Sequence, residues 1–184
     1  MPHANGHFGR LATGAALGLA AGLVLPHARK AMMQAPTLAA GDWVEALKTE
    51  HRMVEKLFDQ LLQTSQTDMA KREMLLTKIA YALNKHAIEE ENVIYPALAE
   101  SGRTEQSHHL GDEHALIKTF IYDLRRIGST TAEWLPKARE FWALVEAHVR
   151  EEEQEIFPAF RDAISSDENG TLTTMMNWEG LKVA

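Results

Sequence analysis

The chain has 184 residues, 45% apolar and 24% charged, which is ordinary for a soluble globular protein and enough for one domain with its own core. Its net charge of -7 argues against a nucleic-acid partner, which needs a basic face. There is no cysteine, which excludes disulfides, thiolate zinc sites, iron–sulfur clusters and cysteine nucleophiles, so any metal must be held by nitrogen and oxygen.

Residues 1–41 differ from the rest and form an N-terminal apolar segment and linker. Leu11 to Leu25 is an uncharged Ala/Gly/Leu run, preceded by Arg10 and followed by Arg29-Lys30. It falls short of the roughly 20 residues that cross a bilayer. Three readings compete: a signal-peptide core without a convincing cleavage site, a short membrane-associated helix with Gly14, Gly18 and Gly22 on one face, or a weakly ordered segment with no membrane role. The expected location is cytoplasmic, with membrane association through residues 11–25 as the open alternative. Pro26, Pro36 and Gly41 punctuate the linker.

Four helices are then predicted. The first starts at Asp42, a good N-cap, and runs to about Thr64, with the stripe Val44, Leu47, His51, Val54, Phe58, Leu61. The second follows Asp68 and reaches about Glu100, with Leu75, Ile79, Ala82, His86, Glu90, Val93 and Ala97 on one face and Gly102 as its stop. The third spans about 105–127, with Leu110, His114, Ile117, Ile121 and Leu124, and Gly128 closes it. The fourth runs from about Ala132 to Ile164, with Phe141, Val145, His148, Glu152, Ile156 and Ala159. Pro136 is tolerated in its first turns, whereas Pro96 and Pro158 are expected to kink the second and fourth helices near their ends. After Asn169-Gly170, Thr171–Trp178 is expected to form a short helix capping the bundle, within a tail of residues 165–184. Met53, Met69, Met74, Trp43, Trp134 and Trp142 are read as core or near-core packing.

The helical region (residues 42–164) contains a repeat. His86 to Leu98 (HAIEEENVIYPAL) and His148 to Phe160 (HVREEEQEIFPAF) are near-copies, and each has an upstream partner, Glu50-His51 and Glu113-His114. The histidine, glutamate and proline marks recur at offsets of 63, 62, 62 and 62 for His51/His114, His86/His148, Glu90/Glu152 and Pro96/Pro158. Two copies of one helical hairpin predict an all-α, up-down four-helix bundle with its polar residues meeting in the middle.

Every stripe carries a histidine, and two also carry a glutamate four residues later, on the same helix face. A buried unpaired carboxylate is costly, and two facing carboxylates repel unless cations lie between them. Two divalent ions explain the set in one step: His51 and His86 on one, His114 and His148 on the other, with Glu90 and Glu152 bridging. A bridging oxide or hydroxide would leave one position on each ion open to a small external ligand. A single core histidine is more often satisfied by a hydrogen bond, and the Glu89–Glu91 and Glu151–Glu153 triplets alone read as solvated faces; the matched repeat overturns both for the middle glutamates only. Glu50 and Glu113 are expected to turn away from the centre. His3, His7 and His27 are read as incidental.

With His51, His86-x-x-x-Glu90, His114 and His148-x-x-x-Glu152, and with Ile-Tyr-Pro and Ile-Phe-Pro trailing the glutamates, residues 42–164 resemble the hemerythrin-like family, the HHE cation-binding domain. The resemblance implies a non-haem centre of two iron ions that binds dioxygen or related small molecules. One departure stands out. Where the oxygen carriers have a further histidine four residues before the one matching His114, this chain has Leu110. A fifth imidazole from His108 or His109 would need a distorted helix around Gly111. The expected function is therefore capture or sensing of O2, NO or peroxide, or iron storage. The alternatives are a di-iron oxidase or catalase-like enzyme, and a membrane-associated bundle with structural metal. An electron donor is not identified.

Overall fold

The computed structural model describes Lys30 and residues 34–184, and among these residues there are helices and no strands. The membrane reading of residues 11–25 and the histidines His3, His7 and His27 lie outside the described residues. Four long helices form the bundle: α1 (Trp43–Leu62), α2 (Met69–Glu89), then, after a short α3 (Tyr95–Glu100), α4 (Thr104–Ile127) and α5 (Trp134–Glu151). A short α6 (Phe157–Ala163) and a terminal α7 (Ser166–Val183) complete the chain. The helices begin and stop for local reasons. Asp42 accepts the amide of Glu45 at 3.1 Å and so caps α1. Gly102 and Gly128 end α3 and α4 at φ +89 and +84, a backbone region that costs other residues steric strain.

The predicted stripes of α1 and α4 are buried throughout. Those of α2 and α5 follow prediction as far as Val93 and Ile156, with Ala82 only half-buried, and fail at Ala97 and Ala159. Glu90–Ile94 and Glu152–Ile156 are single π-helical turns joining α2 to α3 and α5 to α6. Each ends just before a proline, which has no N–H to give and whose ring crowds the carbonyl four residues back; the wider turn relieves both conflicts. The distortion thus lies upstream of Pro96 and Pro158 and overlaps the glutamates, instead of forming a kink at the helix ends. The extra residue in each turn advances the buried face by one position. Tyr95 and Leu98 are buried where Ala97 was expected, and Phe157 and Phe160 replace the exposed Ala159.

The apolar core falls into two parts. One holds Phe58, Leu61, Ile79, Leu124, Trp134 and Phe141; the other holds Trp43, Leu47, Leu98, Leu110, Phe157 and Phe160. Edge-to-face pairs tie each together, Phe58 with Phe141 at 5.1 Å and Trp43 with Phe157 at 5.3 Å between centroids. Each such fully buried side chain contributes about 1.5–3 kcal/mol. Between the two parts lies a polar layer. Met53, Met69 and Met74, expected near the core, are exposed on the outer helix faces.

The helix of the tail is longer than expected. Ser165 and Glu168 form a reciprocal capping box, and the helix runs eighteen residues through Asn169-Gly170, not from Thr171 to Trp178. Leu172, Met176 and Gly180 pack it along α1, α2 and the first π turn. A helical turn at residues 34–38 reaches the same side, through Gln34 and Thr37.

Candidate metal centre

The six residues singled out by the repeat are all buried and meet in the polar layer. His51 Nε2 lies 3.0 Å from His86 Nε2, and His114 Nε2 lies 3.2 Å from His148 Nε2. The carboxylates stand between the pairs. One oxygen of Glu90 is 3.1 Å from His86 Nε2 and 3.3 Å from His114 Nε2. One oxygen of Glu152 is 3.4 Å from His51 Nε2 and 3.5 Å from His148 Nε2. Each glutamate therefore faces one imidazole from each pair.

What fixes the rings is a second set of carboxylates that sequence reasoning sent to solvent. His51 Nδ1 donates to Glu153 at 2.8 Å, His86 Nδ1 to Glu50 at 3.2 Å, His114 Nδ1 to Glu91 at 2.9 Å and His148 Nδ1 to Glu113 at 2.7 Å. Glu50 and Glu113 do turn away from the centre, yet they reach the outer nitrogen of the neighbouring histidine. The third glutamate of each triplet crosses to the other hairpin, so the middle one is not alone in pointing inward. The signal was present, since these four glutamates repeat with the histidines beside them.

Their charge state sets the tautomer. Burial works against ionisation of Glu50, but His86 and Lys85 outweigh it and hold the carboxyl down at about 2. The hydrogen bond from His114 holds Glu91 at about 2, and those from His148 and His51 lower Glu113 and Glu153. Ionised carboxylates only accept, so each Nδ1 carries a proton and each Nε2 turns a lone pair inward when its ring is neutral.

Such inward lone pairs and carboxylates need cations. Protons fill the need in the metal-free chain. Burial favours a neutral His114, but hydrogen bonds to Glu90 and Glu91 prevail and raise it to about 9. His51 is raised, and His86 is raised well above its ordinary range by Glu90 and Glu50 against the same burial. Burial also opposes ionisation of Glu90, which His86 and His114 nonetheless hold well below its usual range. Even so, Glu90 Oε1 and Glu152 Oε2 are buried and accept no hydrogen bond among the described residues. Unsatisfied carboxylate oxygens beside four imidazole nitrogens form a donor set that fits divalent metal ions. Donor atoms of His51, His86, Glu90 and Glu152 lie within 4.8 Å of one another, as do those of Glu90, His114 and His148.

Tyr95 was missed, because it belongs to one copy of the repeat only. The π turn swings it beneath Glu90, and its hydroxyl donates to Glu152 at 2.7 Å and lies 3.1 Å from His114 Nε2 and 3.3 Å from Glu90. Burial and the charges of Glu152 and Glu90 keep that hydroxyl protonated well above its usual range. In the other copy the position is Phe157.

Among the described residues no fifth imidazole joins the layer. Leu110 is buried, whereas His108 and His109 are exposed, because α4 runs as a regular helix through Gly111. His109 Nε2 meets Glu151 at 3.2 Å on the outer face. Glu89, expected to be solvated, is wholly buried and accepts from Lys85 at 2.7 Å and Gln34 at 3.1 Å.

This is the fold and the side-chain layer of a cation-binding helical bundle. The chain matches the profile of the hemerythrin HHE cation-binding domain over residues 42–160 and belongs to that family. Among curated proteins it is 28% identical over 124 residues to a DNA nickase of Nostoc sp. (strain PCC 7120 / SAG 25.82 / UTEX 2576), covering 67% of this chain and 35% of that protein. It is 25% identical over 131 residues to a hemerythrin-like protein of Schizosaccharomyces pombe (strain 972 / ATCC 24843), covering 68% of this chain and 62% of that one. The chain thus spans less than two thirds of either relative. Among solved structures, a hemerythrin HHE cation-binding domain-containing protein from Mycobacterium kansasii superposes with a TM-score of 0.69 at 23% identity, over 77% of this chain and 86% of that one.

Proposed function

We propose that His51, His86, Glu90, His114, His148 and Glu152 hold two iron ions in a non-haem centre that captures or senses O2, NO or peroxide. The observation that carries this reading is the pairing of inward Nε2 atoms at 3.0 and 3.2 Å with a carboxylate between the pairs on either side. Iron would supply redox chemistry and affinity for small oxygen- or nitrogen-centred ligands. The protein's part is to hold the imidazoles by their Nδ1 carboxylates, which fixes ring orientation and raises ligand basicity. It also sets the layer between two apolar cores. The DNA nickase likeness does not extend to this chain in our reading, since a net charge of -7 argues against a nucleic-acid partner.

The test is metal content and visible absorption of protein purified without oxygen, before and after exposure to air. We expect about two irons per chain, as the two histidine pairs imply, and absorption bands that grow in air. Colourless zinc protein would sink the iron reading and leave a structural metal bundle. Among the described residues no helix is long and apolar enough to cross a membrane.

A second reading, turnover of peroxide, is favoured by one observation: Tyr95 sets a protonated hydroxyl against Glu152, Glu90 and His114. That hydroxyl is placed to give a proton within the buried layer. Tyr95→Phe should lower catalase-like turnover by roughly 10²-fold, as loss of a positioned acid does, without loss of bound iron. Unchanged turnover would make Tyr95 a packing residue.

A further inference from the structure

A cavity of about 490 Å³ is bounded by residues of all four bundle helices. At its inner end lie His51, His86, His114 and His148. Its walls are apolar, built from Val54, Ala80, Leu83, Ile117, Ile121 and Val145. Its outer end lies along the seam between α2 and α4, where the exposed Thr77, Asn84, Lys118 and Arg125 border it. From Thr77 to Ala87 the seam rises about 15 Å at 1.5 Å per residue.

The size decides against a diatomic molecule as the only occupant. A molecule the size of water takes about 30 Å³, whereas small-molecule sites run about 300–1,000 Å³. The charges decide what kind of larger molecule fits. The lining includes Lys118 and Arg125 and no acidic residue. Lys118 already donates to Glu91 at 2.7 Å, while Arg125 makes no ion pair among the described residues. An apolar tube with a cationic rim suits an amphiphile with an anionic head.

We propose that this cavity binds a medium-chain alkyl carboxylate, with its head at Arg125 and Lys118 and its tail directed toward the imidazole layer. The tail would lose water against the aliphatic walls, and the guanidinium would take the carboxylate in a two-pronged hydrogen bond. This inference concerns the cavity and stands whichever metal fills the centre.

The test is isothermal titration calorimetry of the full chain as purified, with decanoate below its micelle-forming concentration. Decanoate is chosen because its extended length is close to that of the seam. The expected result is saturable binding, roughly tenfold or more tighter than that of butyrate or of decylammonium. Arg125→Glu, at an exposed position, should weaken decanoate binding by roughly tenfold or more. Ala80→Trp, which fills the tube, should abolish it in protein whose circular dichroism shows retained helix. Absence of saturable decanoate binding overturns the proposal. So does equal binding of decylammonium, or full affinity in Arg125→Glu. Butyrate binding as tightly as decanoate would place the carboxylate on the metals, and would overturn it as well.

Discussion

The two hairpins of the bundle are copies in sequence but not in surroundings. In the first, Glu50 and Glu89 are buried around Lys85, and Gln34 and Thr37 add hydrogen bonds. In the second, the equivalent Glu113 and Glu151 keep 16% and 33% of their side-chain surface, Lys85 is replaced by Ala147, and the exposed His109 lies between them. The cause is α7, which covers α2 and among the described residues has no counterpart over α5. It comes close enough that a Cβ on Gly180 would lie 1.8 Å from Glu89. One positive charge then serves two buried carboxyls. Glu50 stays ionised, while burial and the charge of Glu50 push Glu89 up to about 8. Near-copied sequence thus gives a partly exposed carboxyl on one side and a fully buried one, pushed up to about 8, on the other.

The largest expected effect erases the division between the halves. Glu90→Ala and Glu152→Ala should each empty the whole centre, by more than the roughly 10–100-fold affinity loss typical of an outer-shell partner. Metal content per chain reads it, and either variant retaining half its metal would make the hairpins independent sites. Next comes the asymmetry itself. Lys85→Met should destabilise by about 3–5 kcal/mol, because it strands two buried carboxyls, whereas Glu151→Gln should cost under about 1 kcal/mol. Denaturant unfolding of both variants decides, and equal costs would refute the burial argument.

Smaller still, Gly180→Ala should cost about 1–3 kcal/mol through its clash with Glu89 and Gln34. Gly111→Ala, inside α4 with open space around it, should stabilise by about 0.5–1 kcal/mol. Thermal midpoints of the two should move in opposite directions.

pH acts on the buried groups of both halves. His114 in the metal-free chain has its pKa raised from 6.5 to about 9, so its contribution is full below 6.5 and is lost as pH rises to about 9. Glu89, raised from 4.5 to about 8, makes the folded state bind more protons than the unfolded one, so stability falls over that interval as well. Glu50 and Glu91, lowered to about 2, lose their contribution as pH falls from 4.5 toward 2. Metal-free protein should therefore be most stable near its Glu50/Glu91 plateau, at mildly acid pH, and weaken toward pH 9. Metal affinity should climb over the same alkaline range, because the metal displaces those protons. A flat alkaline limb in urea titrations would remove the histidines from this account.

Much was legible in the sequence because helical periodicity is local. Apolar residues at spacings of three and four marked α1 and α4 to within a residue or two, and a histidine recurring inside every stripe had to face the core wherever the helix packed. The six inward residues followed from the repeat. Three other features depend on what lies opposite a residue rather than beside it. The π turns carry Tyr95 and Phe157 inward, one position off the regular face. Glu91 and Glu153 reach histidines on the other hairpin, and Glu50 and Glu113 reach those on their own. Glu89 and Lys85 are buried by α7 and by Gln34, far along the chain. The sequence by itself determined four amphipathic helices and a converging His/Glu layer. Only the tertiary structure decided which carboxylates support that layer and which half is sealed, since burial and the charge state that follows from it are properties of the neighbours.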